Sequence, residues 1–386
     1  MLSGLLLLCS LLTVFKAPTK LLWKLSIVMM EWGHYFAVVC LLCLLFRNNS
    51  LLDKLSMSAT LLAFVLFLTP LIRAYSVARN LDVDVEKAFG EQDAKVVEIT
   101  PLSLVELFAG KKIPANTYET YSYKETGGKA LTMDFYPSAL KHSPCVLVIH
   151  GGGWDSGDSQ QLPEINAYLA QKGYAVASIN YRLAPKYLYP DQISDVKDAI
   201  LYLKKNHVEL GIDPSNLVLL GRSAGGQLAL QAAYTFNDAD IRGVISFYAP
   251  ADMVWGYSIP GNPWIMDSRK VLSDYLGGGC DAIKEKYLDS SPVEHITPSS
   301  PPTLLLHGQP DVLVAFEHSI RLNKKLSAAG VKHLLIDLPW ATHGFDFNPH
   351  GPGSQISRFA IERFLSAVTA IDNTSLAEHS AAKKYN

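Results

Sequence analysis

The sequence has no excess of charge of either sign: 34 Lys and Arg stand against 36 Asp and Glu, a formal net charge of −2. That balance, with no basic patch interleaved with aromatics, excludes a surface built to track nucleic-acid phosphates. Cysteine is scarce. Of the five, Cys9, Cys40 and Cys43 fall in the hydrophobic N-terminal region, Cys145 lies in an apolar strand pattern and Cys280 stands alone. A disulfide framework is therefore not expected, and no Cys/His pair has the spacing of zinc ligands. No Lys or Arg precedes Lys16, so the basic start of a secretory signal peptide is missing. Internal repeats and low-complexity tracts are missing too.

What the chain does have is a concentration of apolar residues before position 75, which lifts mean hydropathy to +0.13. Ile27 to Phe46 has about the length of a bilayer span, interrupted by Glu31 and His34. Leu55 to Tyr75, with the run Leu61–Leu68, is a second candidate. Leu5 to Phe15 is shorter and fits a third span, an interfacial helix or the apolar core of a signal peptide. Membrane anchoring is expected over cleavage. Lys16, Lys20 and Lys24 precede the first long span, Arg73 and Arg79 follow the next, and Arg47 and Lys54 lie between. The positive-inside rule then makes the larger group cytoplasmic and places the C-terminal domain inside. Glu31 and His34 are expected to face a neighbouring helix or to snorkel; the alternative is a functional intramembrane pair.

The chain divides on this reading into a membrane anchor (1–75) of two or three spans, a mixed-charge linker or lid segment (76–115), a catalytic-size domain (116–372) and a polar tail (373–386). In the large domain, Thr117–Tyr123 and Ala130–Tyr136 alternate like paired strands joined through Gly127-Gly128. Cys145–Ile149, Tyr174–Asn180, Asn216–Leu220, Ile241–Phe247, Thr303–His307 and His333–Leu338 read as further strands. Helical patterns at Leu162–Gln171, Asp195–Asn206, Ala315–Ala328 and Ser354–Ala370 alternate with them. Such alternation specifies an α/β fold with a mostly parallel sheet covered on both faces. One segment, about 249–302, breaks it with a Gly-, Pro- and aromatic-rich insertion containing Trp255, Tyr257, Trp264 and Tyr275. An insertion of that length is either a lid or binding loop, or a self-packed surface excursion.

Two glycine motifs carry the chemistry. Gly221-Arg222-Ser223-Ala224-Gly225 sits between the apolar run Leu217–Leu220 and a helix-forming run. A serine between glycines at a strand-to-helix turn is lifted clear of the sheet as a nucleophile; taken alone, the pentapeptide reads equally as a helix N-cap serine. Cys145–Ile149 leads directly into His150-Gly151-Gly152-Gly153-Trp154. Consecutive glycines let backbone N–H groups converge on one point, which at a parallel sheet edge beside an elbow serine makes an oxyanion hole. His150 is expected to brace this loop rather than act as a base.

These two motifs, in this order and separation, resemble the hormone-sensitive-lipase-like carboxylesterase branch of the α/β-hydrolase fold. The resemblance covers about residues 115–372 and includes Asn180-Tyr181-Arg182-Leu183-Ala184-Pro185. It implies an esterase whose oxyanion donors are the amides of Gly152, Gly153 and Ala224. Arg222 departs from the pattern, since the residue before the nucleophile is often acidic in that branch, and the N-terminal spans are no part of the hydrolase fold. Trp154, Tyr181 and Trp255 are the expected substrate-pocket residues.

The fold requires the order Ser, acid, His. Asp311 ends the buried run Leu304–His307 in a turn and is the expected orienting carboxylate, with Asp337 expected to be structural. His343, in the loop after the last strand, is the expected base; His318 and His333 fall in regular elements, and His350 is the rival. The chemistry expected is hydrolysis of a small, fairly apolar ester at a membrane, with no metal or organic cofactor. Arylformamidase or prenylcysteine-methylesterase activity is the nearest alternative, followed by a ligand-binding receptor on a retired hydrolase pocket or a membrane scaffold.

Overall fold

The computed structural model describes residues 2–45, 51–90, 100–111 and 117–369, the side chains of 51–53 excepted. Its strands are β1 (Glu119–Thr126), β2 (Lys129–Tyr136), β3 (Ser143–Ile149), β4 (Ala175–Ile179), β5 (Ile212–Arg222), β6 (Ile241–Phe247), β7 (Thr303–Gly308) and β8 (His333–Leu338). They form one sheet in the order β1-β2-β4-β3-β5-β6-β7-β8. β1 pairs antiparallel with β2, and β2 with β4; every other pairing is parallel. All seven residues of β3 and all five of β4 are buried, as strands covered on both faces must be. Half of the residues of edge strand β1 are exposed, and only Tyr123 is buried.

The helices are α1 (Leu2–Ser10), α2 (Lys20–Glu31), α3 (Gly33–Leu45), α4 (Leu51–Phe89), α5 (Leu104–Ala109), α6 (Pro163–Gln171), α7 (Asp191–Lys205), α8 (His207–Leu210), α9 (Ala224–Thr235), α10 (Met253–Ser258), α11 (Ser268–Leu276), α12 (Lys284–Asp289), α13 (Glu317–Ala328) and α14 (Pro352–Val368). Successive strand side chains feed opposite faces. Leu147 and Leu219 join α7, α9 and α13 in one core layer. Val146, Val148, Val218 and Leu220 join α6, α14 and the end of α4 in the other.

The N-terminal part departs from expectation in two places. Residues 76–89, expected to begin a linker, continue α4 without a break. Asp82, Asp84, Glu86 and Lys87 make this stretch look polar, yet Ala74, Ala78, Leu81, Val85 and Phe89 recur at helical spacing and are buried in the sheet-covering layer. The phenyl rings of Phe89 and Phe364 meet edge to face, 4.9 Å apart. Ile27–Phe46, expected to be one span, is bent by 76° between α2 and α3. Glu31 at the end of α2 is buried against the sheet domain, where its carboxylate accepts Trp340 Nε1–H (3.2 Å) and the Gly353 amide (3.0 Å). Apolar α3 then packs on α4, with Phe36 stacked on Phe67 at 5.3 Å. Gly33 is needed at this crossing, since a Cβ there would lie 2.8 Å from the Phe67 carbonyl oxygen. Among the described residues, one helix, Lys54–Phe89, is long and apolar enough to cross a membrane by itself, and the bent pair α2–α3 passes only if taken as one span. In the rest of the expected linker, residues 100–111 with α5 are described, whereas 91–99 and 112–115 lie outside the described residues, as does the polar tail 373–386.

The insertion folds as α10, α11 and α12. Its own Tyr275 and Tyr287 are fully buried, and Tyr275 stacks on Trp154, which ties the insertion to the sheet domain.

Candidate active site

Parallel register aligns Ile149 with Gly221 and Arg222 with Phe247, so the loops after β3, β5, β7 and β8 converge at one sheet edge. At the end of β5, Ser223 has φ +52° and ψ −120°, a conformation that costs about 1–3 kcal/mol and persists only where the surroundings impose it. Two hydrogen bonds do so: the Ser223 amide donates to the Phe247 carbonyl (2.9 Å), and the Gln227 amide donates to the Ser223 carbonyl (3.0 Å). Glycine is required on both sides of the turn. A Cβ on Gly221 would lie 2.1 Å from the Gly225 oxygen, and one on Gly225 would lie 2.1 Å from the Ile149 oxygen. Although Ser223 stands at the N-cap position of α9, its side chain makes no capping bond. The cap alternative left open by the pentapeptide is thereby removed.

The glycine loop lies directly against this turn: a Cβ on Gly151 would be 3.3 Å from Ser223 Cβ. Gly152 (φ +118°) and Gly153 (φ +61°) occupy backbone regions that side chains rarely enter. The Gly151 amide donates to Gln161 Oε1 at 2.7 Å, whereas the amides of Gly152 and Gly153 have no acceptor among the described residues. Ala224 opens α9, so its amide is one of the donors a helix leaves unmatched at its N-terminus. His150 braces the loop from beneath, as expected. Its Nδ1 bonds the Gly151 carbonyl (2.7 Å), its ring stacks on Tyr181 at 4.2 Å, and burial pushes its pKa down.

At the end of β7, Asp311 Oδ1 accepts the amides of Leu313 (2.8 Å) and Val314 (2.9 Å). Its Oδ2 lies 2.7 Å from His343 Nδ1 and 3.2 Å from His307 Nε2. Burial alone would raise the Asp311 carboxyl, but the two imidazoles and their hydrogen bonds outweigh it and hold the group well below the usual carboxylate range. His343 packs against Tyr248, with ring centroids 4.3 Å apart. Ser223, Asp311 and His343 all line one cleft of about 800 Å³.

The other expected residues sort themselves by position. Trp255 lines the cleft and meets His318 edge to face. Trp154 also lines it, but its ring is stacked on Tyr275 at 4.2 Å and its Nε1 donates to Gln227. Tyr181 does not reach the cleft lining; its hydroxyl donates to the His150 carbonyl (3.1 Å), so it supports the glycine loop. His350 also lies away from Ser223, accepting the Lys111 amide at 3.2 Å. His318 lines the cleft wall, where burial lowers it to about 3, and its Nδ1 faces the amides of Ala251 and Asp252. Asp337 is bound to Gln309. Among the described residues, no group of three or more His, Cys, Asp or Glu is arranged to hold a metal ion.

Two features of the site were not given by the motifs. Arg222 Nε donates to Asp346 Oδ2 (2.5 Å), and Tyr248 donates to Asp346 Oδ1 (2.6 Å), a buried network directly beneath the elbow. This partner answers the charge of Arg222, which stands where the resembling branch often has an acid. The N-terminal segment also enters the site: Lys16, Ala17, Pro18, Lys20 and Trp23 line the cleft. Trp23 Nε1 donates to the His343 carbonyl at 3.1 Å. Only the tryptophan's position beside three lysines could have drawn attention to it in sequence.

A twisted, mostly parallel sheet with a serine elbow and a glycine loop at one edge defines an α/β-hydrolase-like protein. Within that class the chain belongs to the BD-FAE family, an α/β-hydrolase-type esterase family whose model matches residues 133–326. Among curated proteins, it is 31% identical over 247 residues to "Probable carboxylic ester hydrolase LipM" of Mycobacterium tuberculosis, covering 59% of this chain and 55% of that protein. Esterase LipC of the same organism is 30% identical over 245 residues, with 59% of each chain covered. The chain thus spans little more than half the length of these relatives. Among solved structures, the native thermophilic esterase Est2 of Thermogutta terrifontis superposes with a TM-score of 0.54 at 24% identity, covering 64% of this chain and 91% of that one. That likeness is one of fold.

Proposed function

We propose that the protein is a membrane-anchored serine carboxylic ester hydrolase with Ser223 as nucleophile, His343 as general base and acid, and Asp311 as orienting carboxylate. The observation that carries this reading is the 2.7 Å pairing of His343 Nδ1 with a doubly amide-bound Asp311 in the cleft that also exposes the strained Ser223. With Nδ1 committed to Asp311, Nε2 is the nitrogen free to take the Ser223 proton as Oγ attacks the ester carbonyl. The amides of Gly152, Gly153 and Ala224 receive the developing oxyanion, worth several kcal/mol for such donors. His343 returns the proton to the departing alcohol. Water then attacks the acyl-enzyme, giving its proton to His343, and Ser223 leaves with that proton restored.

The hydrolase unit is residues 116–372 and the anchor lies before it, with α4 serving both. The apolar helices α3 and α4 favour anchoring, and Trp154 and Trp255 offer an apolar pocket to the substrate. The arrangement of basic residues favours a cytoplasmic hydrolase domain. Arg73 sits on that side, donating to the Pro339 carbonyl (3.1 Å), and Lys16 and Lys20 line the cleft. A fluorophosphonate probe should modify Ser223, mapped by peptide mass spectrometry, and purified protein should hydrolyse p-nitrophenyl esters. Ser223→Ala should abolish both. Modification elsewhere, or ester turnover indistinguishable from Ser223→Ala, overturns the assignment.

A further inference from the structure

The cleft is closed on one side by the N-terminal segment, and this has a consequence for the substrate. Between α1 and α2 the chain passes over the cleft as a strap, Val14 to Thr19, and meets the insertion from the opposite wall. The Lys20 amide donates to the Trp264 carbonyl (3.1 Å), and Asn262 Nδ2 donates to the Pro18 carbonyl (2.9 Å). α2 then runs along the catalytic loop, holding the His343 carbonyl through Trp23, with Gly344 beside Ile27. The same segment leads directly into α3, which packs on α4. The apolar stretch of α4, Leu55 to Ile72, is about 27 Å long at 1.5 Å per residue, close to a hydrocarbon core. Its outer face and that of α3 expose Val38, Leu41, Leu42, Leu61, Leu62 and Val65.

The mouth of the cleft carries exposed apolar side chains of its own. Ile259 and Phe347 both line the cleft and are exposed. Phe15 on the strap is exposed, Leu21 just after it is 76% exposed and Trp264, on the bonded insertion, is 78% exposed. Large exposed apolar side chains on a rim whose chain leads into an apolar helix pair mark a surface that meets something other than water. The exposed Lys16, Lys20 and Lys24 lie among them, the arrangement of an interfacial segment whose ammonium groups reach the headgroups while the apolar groups sink between chains.

We infer that the cleft mouth rests on the bilayer surface and that the substrate is a bilayer-resident amphiphilic ester, its apolar chain entering between the strap and the insertion without crossing water. The cleft-facing residues of the strap, Lys16, Ala17 and Pro18, are thus part of the substrate site as well as of the anchor. The inference rests on the esterase reading above and deepens it by naming where the ester comes from. It is tested with full-length protein reconstituted into phosphatidylcholine vesicles containing p-nitrophenyl palmitate, with water-soluble p-nitrophenyl butyrate as the second substrate. Combined Phe15→Ser, Leu21→Ser and Trp264→Ser changes leave the cleft lining intact. They are expected to lower palmitate turnover about tenfold while butyrate turnover stays within about twofold. Unchanged palmitate turnover, or equal loss on both substrates, overturns the inference. Absence of butyrate turnover in the wild type instead overturns the esterase reading. A second measurement needs neither turnover nor the triple variant: in vesicles of brominated phosphatidylcholine, the quenched part of tryptophan emission should shrink in Trp264→Phe. Equal quenching in wild type and Trp264→Phe places the mouth in water and overturns the inference.

Discussion

Ser223 and its neighbours show how few atoms separate a chemical site from an ordinary turn. Gly225 admits no side chain, because a Cβ there would press on two carbonyl oxygens, those of Ile149 and His150 at 2.1 and 2.3 Å. Neither oxygen is the end of a flexible side chain. Gly225→Ala is therefore expected to destabilise the fold by about 3 kcal/mol, checked by thermal unfolding in detergent. Asp311 makes the second prediction at this scale. Its carboxyl is held below its ordinary value in the folded state, so the unfolded chain binds more protons there in acid. The stability it contributes is complete above its unfolded value, about pH 4, and is lost as pH falls toward the lower folded value. Unfolding followed from pH 7 downward should show a shallower acid decline in Asp311→Asn than in the wild type; an identical slope would mean that the carboxylate is not stabilised by its imidazole partners. Both residues were legible in sequence, one in a glycine motif and the other at the end of an apolar run. The Arg222–Asp346–Tyr248 network was not, because its members come from three distant parts of the chain, the end of β5, the residue after β6 and the segment after β8.

Elements in the sheet domain lie close to where residue periodicity places them, since burial on both faces leaves continuous apolar runs such as Cys145–Ile149 within β3. The N-terminal helices obey a different rule. In α4 a polar outer face hides an inner stripe, Leu81, Val85 and Phe89, and local composition reads the mixture as a linker. In α2 a single carboxyl decides where the helix goes. Glu31 meets Trp340 and Gly353 from segments more than three hundred residues away, contacts that no local pattern contains. Glu31→Leu should leave two buried donors unpaired, costing about 1–3 kcal/mol for each. The same change should loosen α2 from the His343 loop through Trp23. Accelerated amide exchange in residues 20–31, with the sheet strands unchanged, checks this; uniform exchange across the chain would contradict it.

For the whole molecule, the N-terminal helices and the sheet domain are one folded body: α4 ends inside the sheet-covering layer, and α2 and the strap wall the cleft. The charges of Lys16, Lys20, Lys24, Arg73 and Arg79 predict that this body faces the cytoplasm. Lys129→Cys, on the exposed β1–β2 hairpin, should react with a membrane-impermeant maleimide only after permeabilisation. Labelling in intact cells would reverse the orientation.

What the sequence determined by itself was local in character: strands and helices from periodicity, the elbow and glycine loop from residues that tight backbone approach demands, and the order Ser223, Asp311, His343 from chain succession. Tertiary structure alone decided that Tyr181 braces a loop instead of lining the cleft, that Arg222 is answered by Asp346, and that residues 16–23 form a wall of the site. Each of these depends on which distant segments meet across the folded chain. A pattern of neighbours along the sequence carries no record of such meetings, because they are set by the packing of whole elements against one another.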